Sequence, residues 1–212
     1  MPNTNAAPRH ASFVEITCDP NLPDVLLIGD SISMGYTIPT RERLKGRANV
    51  HRPADNCGPT SRGLAQLDEW LGNRKWDVIH FNFGLHDLKY VDAGGGLTEP
   101  GRGRLSTSID QYKENLGKLV ERLKATGAKL IWATTTPVPA GANGRRMGDA
   151  TEYNAAAMEV VNEPGITVND LHAFALPRLK ELQLPENVHF TQEGSEILAD
   201  RVASAILERL GE

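Results

Sequence analysis

Five short stretches that read as strands, the first and third of them largely apolar, recur along this 212-residue chain, each separated from the next by enough sequence to form a helix. They are Asp24–Ile28 (ending at Gly29), residues 48–52, residues 76–83 (ending at Gly84), residues 129–134 and residues 166–169. A strand that reads as continuously apolar, not alternating, is one buried on both faces. Consecutive parallel strands need a crossover of a dozen or more residues, commonly a helix. The intervening segments supply such crossovers. Residues 60–71 place Leu64, Leu67, Trp70 and Leu71 at helical spacing, and residues 108–125 place Ile109, Tyr112, Leu116, Leu119, Val120 and Leu123 on one face before Gly127. Residues 150–161 read as helix with Pro164 beyond, and residues 191–210 as a closing helix with Thr191 as N-cap. Residues 33–44 read as a helix weakened by Gly35 and Pro39, and residues 171–182 as one broken near Pro177. The expected fold class is α/β, a largely parallel five-stranded sheet covered on both faces. No repeat or linker divides the chain. The expectation is a lead segment over residues 1–20 and a single domain over residues 21–212.

Composition removes several function classes. A net charge of −4 provides no basic field for nucleic acid, and 6% aromatic residues provide no wide base-stacking platform. No apolar run reaches the length of a membrane span. Met1 to Ala11 lacks the charged-then-apolar layout of a signal peptide, so the expectation is a cytoplasmic protein, or a secreted one whose leader has been trimmed. Cys18 and Cys57 suggest no disulfide scaffold or metal knuckle; they could form one disulfide, but are read as two buried free thiols. No His-x-x-x-His pair or carboxylate cluster reads as a metal site, and neither a metal nor another cofactor is expected.

In an open α/β sheet, ligands bind beyond the carboxyl ends of the strands. Ser31, Gly58, the stretch Gly84 to Asp87, and Thr135 with Thr136 all fall there on the expected elements. Ser31 in Ile28-Gly29-Asp30-Ser31 sits at a strand-to-helix turn whose amides can face an oxyanion, although Gly-Asp-Ser alone is better read as a helix cap. His189 precedes the last helix. A serine hydroxyl needs such a base, and the base needs an orienting group, for which Glu186 three residues earlier is the candidate. A lone surface histidine beside an N-cap is the competing reading. Asn56-Cys57-Gly58 and Asn82-Phe83-Gly84-Leu85-His86-Asp87 either shape loops or bring backbone and donors close to a ligand. His51 and His80 are read as packing or surface residues, His172 has no assigned role, and Arg145 and Arg146 are read as a solvated loop tip.

Taken in order, these blocks resemble the SGNH (GDSL-like) hydrolase family over residues 24–207. Ile28-Gly29-Asp30-Ser31 is similar to its first block and Asn56-Cys57-Gly58-Pro59-Thr60 to its second. Gly84-Leu85-His86-Asp87 is similar to the third, and Glu186-Asn187-Val188-His189 to the fourth. The resemblance implies a three-layer α/β/α sandwich of flavodoxin-like type. It implies Ser31 as nucleophile, His189 as base, Glu186 as the orienting acid, and an oxyanion hole from Ser31, Gly58 and His86. Asp30 and Asp87 are supporting residues. Two positions depart from the family pattern: His86 stands where the family has Asn, and Glu186 where it has Asp.

The activity implied is hydrolysis of short acyl esters, acetyl first, on a small molecule or carbohydrate and without a cofactor. The alternatives are a thioesterase or lysophospholipase, which needs an apolar acyl groove, and a non-catalytic binding module on the same scaffold. The Gly-rich stretches 94–104 and 137–148 carry few large apolar residues for such a groove. The oligomeric state is not legible.

Overall fold

The computed structural model describes residues 10–212, so positions 1–9 of the expected lead segment lie outside the described residues. Five parallel strands form the central sheet: β1 (Asp24–Ile28), β2 (Asn49–His51), β3 (Val78–Phe81), β6 (Lys129–Ala133) and β7 (Ile166–Asn169). Their order is β2-β1-β3-β6-β7. Register runs Val25↔Val50 and Val25↔Val78, then Phe81↔Trp132 and Trp132↔Val168. All four β3 residues are buried, as are Val25 to Ile28, because helices lie on both faces. The expected α/β/α architecture is therefore the observed one.

On one face α1 (Ser31–Arg43) packs along α7 (Gln192–Leu210), with α5 (Leu171–Ala175) and α6 (Leu179–Leu182) against α7. On the other, α2 (Thr60–Leu71) packs on α3 (Ile109–Lys124), and α3 on α4 (Asp149–Val161). A Cβ at Gly35 would come within 3.0 Å of Ser195 Oγ, so the small residue in α1 lets α7 approach closely. This packing carries α1 through Pro39, which was expected to weaken it. The helix also begins two residues earlier than the apolar spacing indicates, because Asp30 caps it: Asp30 Oδ1 accepts the Ile32 amide at 2.9 Å. Thr191 caps α7 as expected, accepting from Gly194 N at 2.9 Å.

A two-stranded ribbon, β4 (Tyr90–Val91) with β5 (Arg104–Leu105), brackets the first glycine-rich stretch. Two-residue strands have too few positions for a readable period, so nothing in the sequence marks them. Among the described residues no helix is long and apolar enough to cross a membrane. The cysteine expectation needs correction. Both thiols are free, but only Cys57 is buried; Cys18 is partly exposed, since it lies on the irregular segment before β1 at the sheet edge.

Strand order reverses direction between β1 and β3: the chain leaves β1 for β2 on one side and then crosses to β3 on the other. This opens a crevice at the carboxyl ends of β1 and β3. Residues 29–31 and 82–87 form its two lips.

Candidate active site

Ser31 is the first residue of α1 and His189 lies just before α7, so the packing of these helices brings the two side chains together. His189 Nε2 is 2.9 Å from Ser31 Oγ. The Ser31 hydroxyl and amide stand at the positive end of α1. The Ser31 amide has no hydrogen-bond partner among the described residues, which leaves it free for an anionic oxygen.

The turn that presents Ser31 is built from below. A Cβ at Gly29 would meet Ser33 Cβ at 2.8 Å, so only glycine fits the tight entry into α1. Gly29 O accepts from Cys57 N at 3.2 Å and from Arg52 Nη2 at 3.2 Å. Arg52 is nine-tenths buried and spends its guanidinium on neutral acceptors. Nη1 donates to Ser33 Oγ (3.0 Å) and Thr37 Oγ1 (3.1 Å), Nη2 also to Asp55 O (3.0 Å), and Nε to Pro53 O (3.2 Å). Its Cζ lies 5.5 Å from the centre of the Phe13 ring. Sequence reading passed over Arg52 because its partners are carbonyls and hydroxyls distributed along the chain, with no carboxylate to suggest a pair.

The orienting group is a correction. His189 Nδ1 lies 2.7 Å from Asn187 Oδ1, and Glu186 makes no hydrogen bond to His189. Glu186 is exposed and left-handed (φ 52°), and its side chain lies against Gly141, where a Cβ would meet Glu186 Cγ at 2.8 Å. That backbone rotation turns the carboxylate outward and brings the next residue under the ring. Asn187 Oδ1 also accepts the His189 amide at 3.0 Å, closing a turn of the kind asparagine favours. The short spacing from Asn187 to His189 was the available signal.

The remaining residues divide. Gly58 is left-handed (φ 63°), as its turn requires, but its amide donates to Asn56 Oδ1 at 3.1 Å instead of standing free. The expectation of an open Gly58 donor is corrected to one held by its neighbour. His86 is half-buried, and its ring makes no hydrogen bond within the described residues. Burial pulls its pKa down, opposed by the Asp30 charge and reinforced by Lys89, Arg145 and His189, so these groups share the field at the crevice. Asp30 is the α1 cap, with Oδ2 buried and unpartnered.

Asp87 makes no hydrogen bond to the His86 ring among the described residues. It accepts from Thr60 N (3.0 and 3.1 Å) and Thr60 Oγ1 (2.6 Å), which fixes the start of α2 to the loop after β3. Burial raises its pKa to about 6 against those hydrogen bonds. The same loop is held by Tyr112 OH and Thr135 Oγ1, which donate to Phe83 O at 2.9 and 3.1 Å. A Cβ at Gly84 would stand 1.9 Å from Thr135 Oγ1, so the close approach admits glycine alone. Thr136 Oγ1 is buried and unpartnered. Arg145 is half-buried, donating from Nε to Leu85 O at 3.0 Å, which corrects the solvated-tip reading; Arg146 is exposed and pairs with Asp149 at 2.8 Å. His80 is fully buried and His51 packs edge-on to Trp76, in agreement with packing roles.

A family model described as GDSL-like lipase/acylhydrolase matches residues 27–197. No curated protein matches the sequence. Several solved structures share the fold. A lipase/acylhydrolase from Enterococcus faecalis superposes with TM-score 0.70 at 22% identity, over 88% of this chain and 96% of that one. The acetyl xylan esterase AlAXEase gives TM-score 0.69 at 18% identity, over 86% and 99% respectively. An acetylxylan esterase from Geobacillus stearothermophilus gives 0.66 at 17%, over 90% and 94%.

Proposed function

The chain belongs to the GDSL-like lipase/acylhydrolase family, and from that premise we propose that it is a serine esterase removing short acyl groups, acetyl first, from a carbohydrate or other small alcohol. The observation that carries the reading is the 2.9 Å contact between Ser31 Oγ and His189 Nε2 at the positive end of α1. A hydroxyl within hydrogen-bond reach of an imidazole can lose its proton as it attacks a carbonyl.

Asn187 Oδ1 accepts the Nδ1 proton, which leaves the Nε2 lone pair directed at Ser31. Ser31 Oγ attacks the acyl carbon while its proton passes to His189 Nε2. The tetrahedral oxyanion is met by the Ser31 amide, by the His86 ring N–H, and by the Gly58 amide once Asn56 releases it. His189 then protonates the departing alkoxide, and water repeats the sequence to free the acid. Asn187 carries no charge, so it orients the ring but stabilises the imidazolium less than a carboxylate would.

The short-acyl preference is supported by where the apolar space lies. A cavity of about 640 Å³ runs between residues 137–140 and 176–181, and its wall includes neither Ser31 nor His189. His189 is exposed at an open crevice, which suits a small acyl group on a bulky alcohol. Acetyl xylan esterases among the structures of the same fold make acetylated xylo-oligosaccharides the first natural substrates to assay.

The test is hydrolysis of p-nitrophenyl acetate, butyrate and octanoate by the wild type and Ser31→Ala. The expected result is acetate cleavage that falls at least about 10³-fold in the variant. Preference for octanoate moves the assignment to lipid or thioester substrates. Equal activity in both proteins removes Ser31 from the mechanism, and inactivity of the wild type on all three esters favours a binding role.

A further inference from the structure

On the edge of the sheet, away from Ser31, three side chains of different chemistry point at one another. His51 Nε2 at the end of β2 is 2.9 Å from Asp24 Oδ1 at the start of β1 and 3.8 Å from Cys18 Sγ on the segment before it. The three atoms all lie within 4.8 Å of one another.

The arrangement is not a proton relay. In a relay the thiol and the carboxylate take opposite nitrogens of the ring. Here both approach the same nitrogen, Nε2, so that sulfur, nitrogen and oxygen converge on a common point. Convergence of lone pairs is what a cation requires. With Zn–S near 2.3 Å and Zn–N or Zn–O near 2.0–2.1 Å, tetrahedral ligand atoms stand roughly 3.3–3.6 Å apart. The 2.9 Å N···O and 3.8 Å S···N separations lie on either side of that spacing and the third pair lies within 4.8 Å, so side-chain adjustment admits the ion.

From this convergence we propose that Cys18, Asp24 and His51 bind a zinc ion, with solvent as the fourth ligand. One thiolate, one imidazole and one carboxylate form a mixed donor set suited to a borderline-soft divalent ion and unsuited to magnesium or calcium. Thiolate and carboxylate set two negative charges against the ion and the neighbouring Arg74 guanidinium, and the Cys18 thiol proton leaves to solvent on binding. The outer contacts are present as well. Arg74 Nη1 holds the other carboxylate oxygen, Asp24 Oδ2, at 2.8 Å, so Oδ1 stays turned towards the cluster. The His51 ring is fixed edge-on to Trp76 with centroids 5.2 Å apart. Cys18 and His51 also line a cavity of about 330 Å³ that provides an entry path and room for the solvent ligand. The ion would pin the segment before β1 to the open edge of the sheet.

The experiment uses untagged full-length protein titrated with Co²⁺ and then Zn²⁺, for the wild type, Cys18→Ser and His189→Ala. Cobalt bound through a thiolate shows a sulfur-to-metal charge-transfer band. The expected result is one equivalent of that band in the wild type and in His189→Ala, its disappearance on adding Zn²⁺, and its loss in Cys18→Ser. Zn²⁺ at a hundred times its dissociation constant is expected to raise the melting temperature by about 5–10 °C in the wild type and not in Cys18→Ser. Cys18 is partly exposed on irregular backbone, so serine there preserves the fold, which circular dichroism checks. A band that survives in Cys18→Ser, cobalt binding without the band, or no binding at all overturns the proposal.

Discussion

The two halves of the Ser31–His189 pair are supported in opposite ways. The Ser31 turn is held from beneath by buried groups distant in sequence: Arg52 reaches Gly29 O, Ser33 Oγ and Asp55 O, and Cys57 N reaches Gly29 O. The His189 loop is held largely by itself. Leu184 N donates to His189 O at 2.9 Å, Asn187 N to Leu184 O at 3.3 Å, and Asn187 Oδ1 serves both the amide and the ring of His189. Its links to the interior are Gln183 Nε2, which donates to Pro137 O, and the buried side chains of Val188 and Phe190 on either side of His189. The hydroxyl is thus placed by the tertiary fold and the imidazole by local turn chemistry. Substitutions on the first side should act on stability and activity together, and substitutions on the second on activity with the fold intact.

The largest effect tests the shared contact. His189→Ala is expected to lower kcat/KM on p-nitrophenyl acetate by at least about 10³-fold with an unchanged melting temperature. Loss of stability in that variant would break the contrast. Next is Arg52→Met, which removes a donor from the buried Ser33 Oγ and Thr37 Oγ1 and from the part-buried Asp55 O. Urea denaturation is expected to show a cost of about 2–4 kcal/mol, with activity falling as well. A stable Arg52→Met with full activity would mean that the buried bonds do not position the turn. Smaller again is the orienting pair: Asn187→Ala is expected to lower kcat by about tenfold, and Glu186→Ala by less than about threefold. The reverse ranking would restore the carboxylate as the orienting group.

The smallest effects concern pH, and they sharpen the account of the floor beneath the crevice. Burial raises the Asp87 carboxyl from 3.8 to about 6 and lowers the His80 imidazole from 6.5 to about 4. At Asp87 the folded state binds more protons than the unfolded state between pH 3.8 and 6, so this group costs stability as pH rises through that window. At His80 the unfolded state binds more protons between pH 4 and 6.5, so this group costs stability as pH falls through it. The two slopes oppose one another. Melting temperatures across pH 4–6.5 are expected to rise more steeply with pH in Asp87→Asn than in the wild type, and less steeply in His80→Gln. Identical slopes in all three proteins would mean that neither group titrates differently on folding.

Most of the sheet could be read from the sequence because doubly covered parallel strands leave uninterrupted apolar runs such as Val25 to Ile28. Ser31 and His189 could be read because four short blocks follow one another in the order of the SGNH family; the glycine and cap residues alone fit helix caps. What escaped depends on backbone angles and on distant acceptors. The left-handed conformation of Glu186 moves the orienting role to Asn187, and spacing counted along the chain does not reveal such a rotation. The Asn56 contact that occupies the Gly58 amide is likewise a product of turn geometry. Asp87 was legible only as a supporting residue, and the fold, by bringing Thr60 to it, makes it a brace between the start of α2 and the loop after β3.

Arg52 immediately follows β2, one of the two border strands of the sheet, which pairs within it with β1. A border strand frays more readily than its neighbours, because opening it breaks a single ladder. When β2 breathes, the guanidinium is withdrawn from Gly29 O and Ser33 Oγ while the centre of the sheet remains closed. The hydroxyl-bearing turn is thereby coupled to a margin of the sheet. Amide hydrogen exchange at Cys57 should then track exchange in β2, not the slower exchange in β3, and warming should silence the crevice several degrees before the core melts.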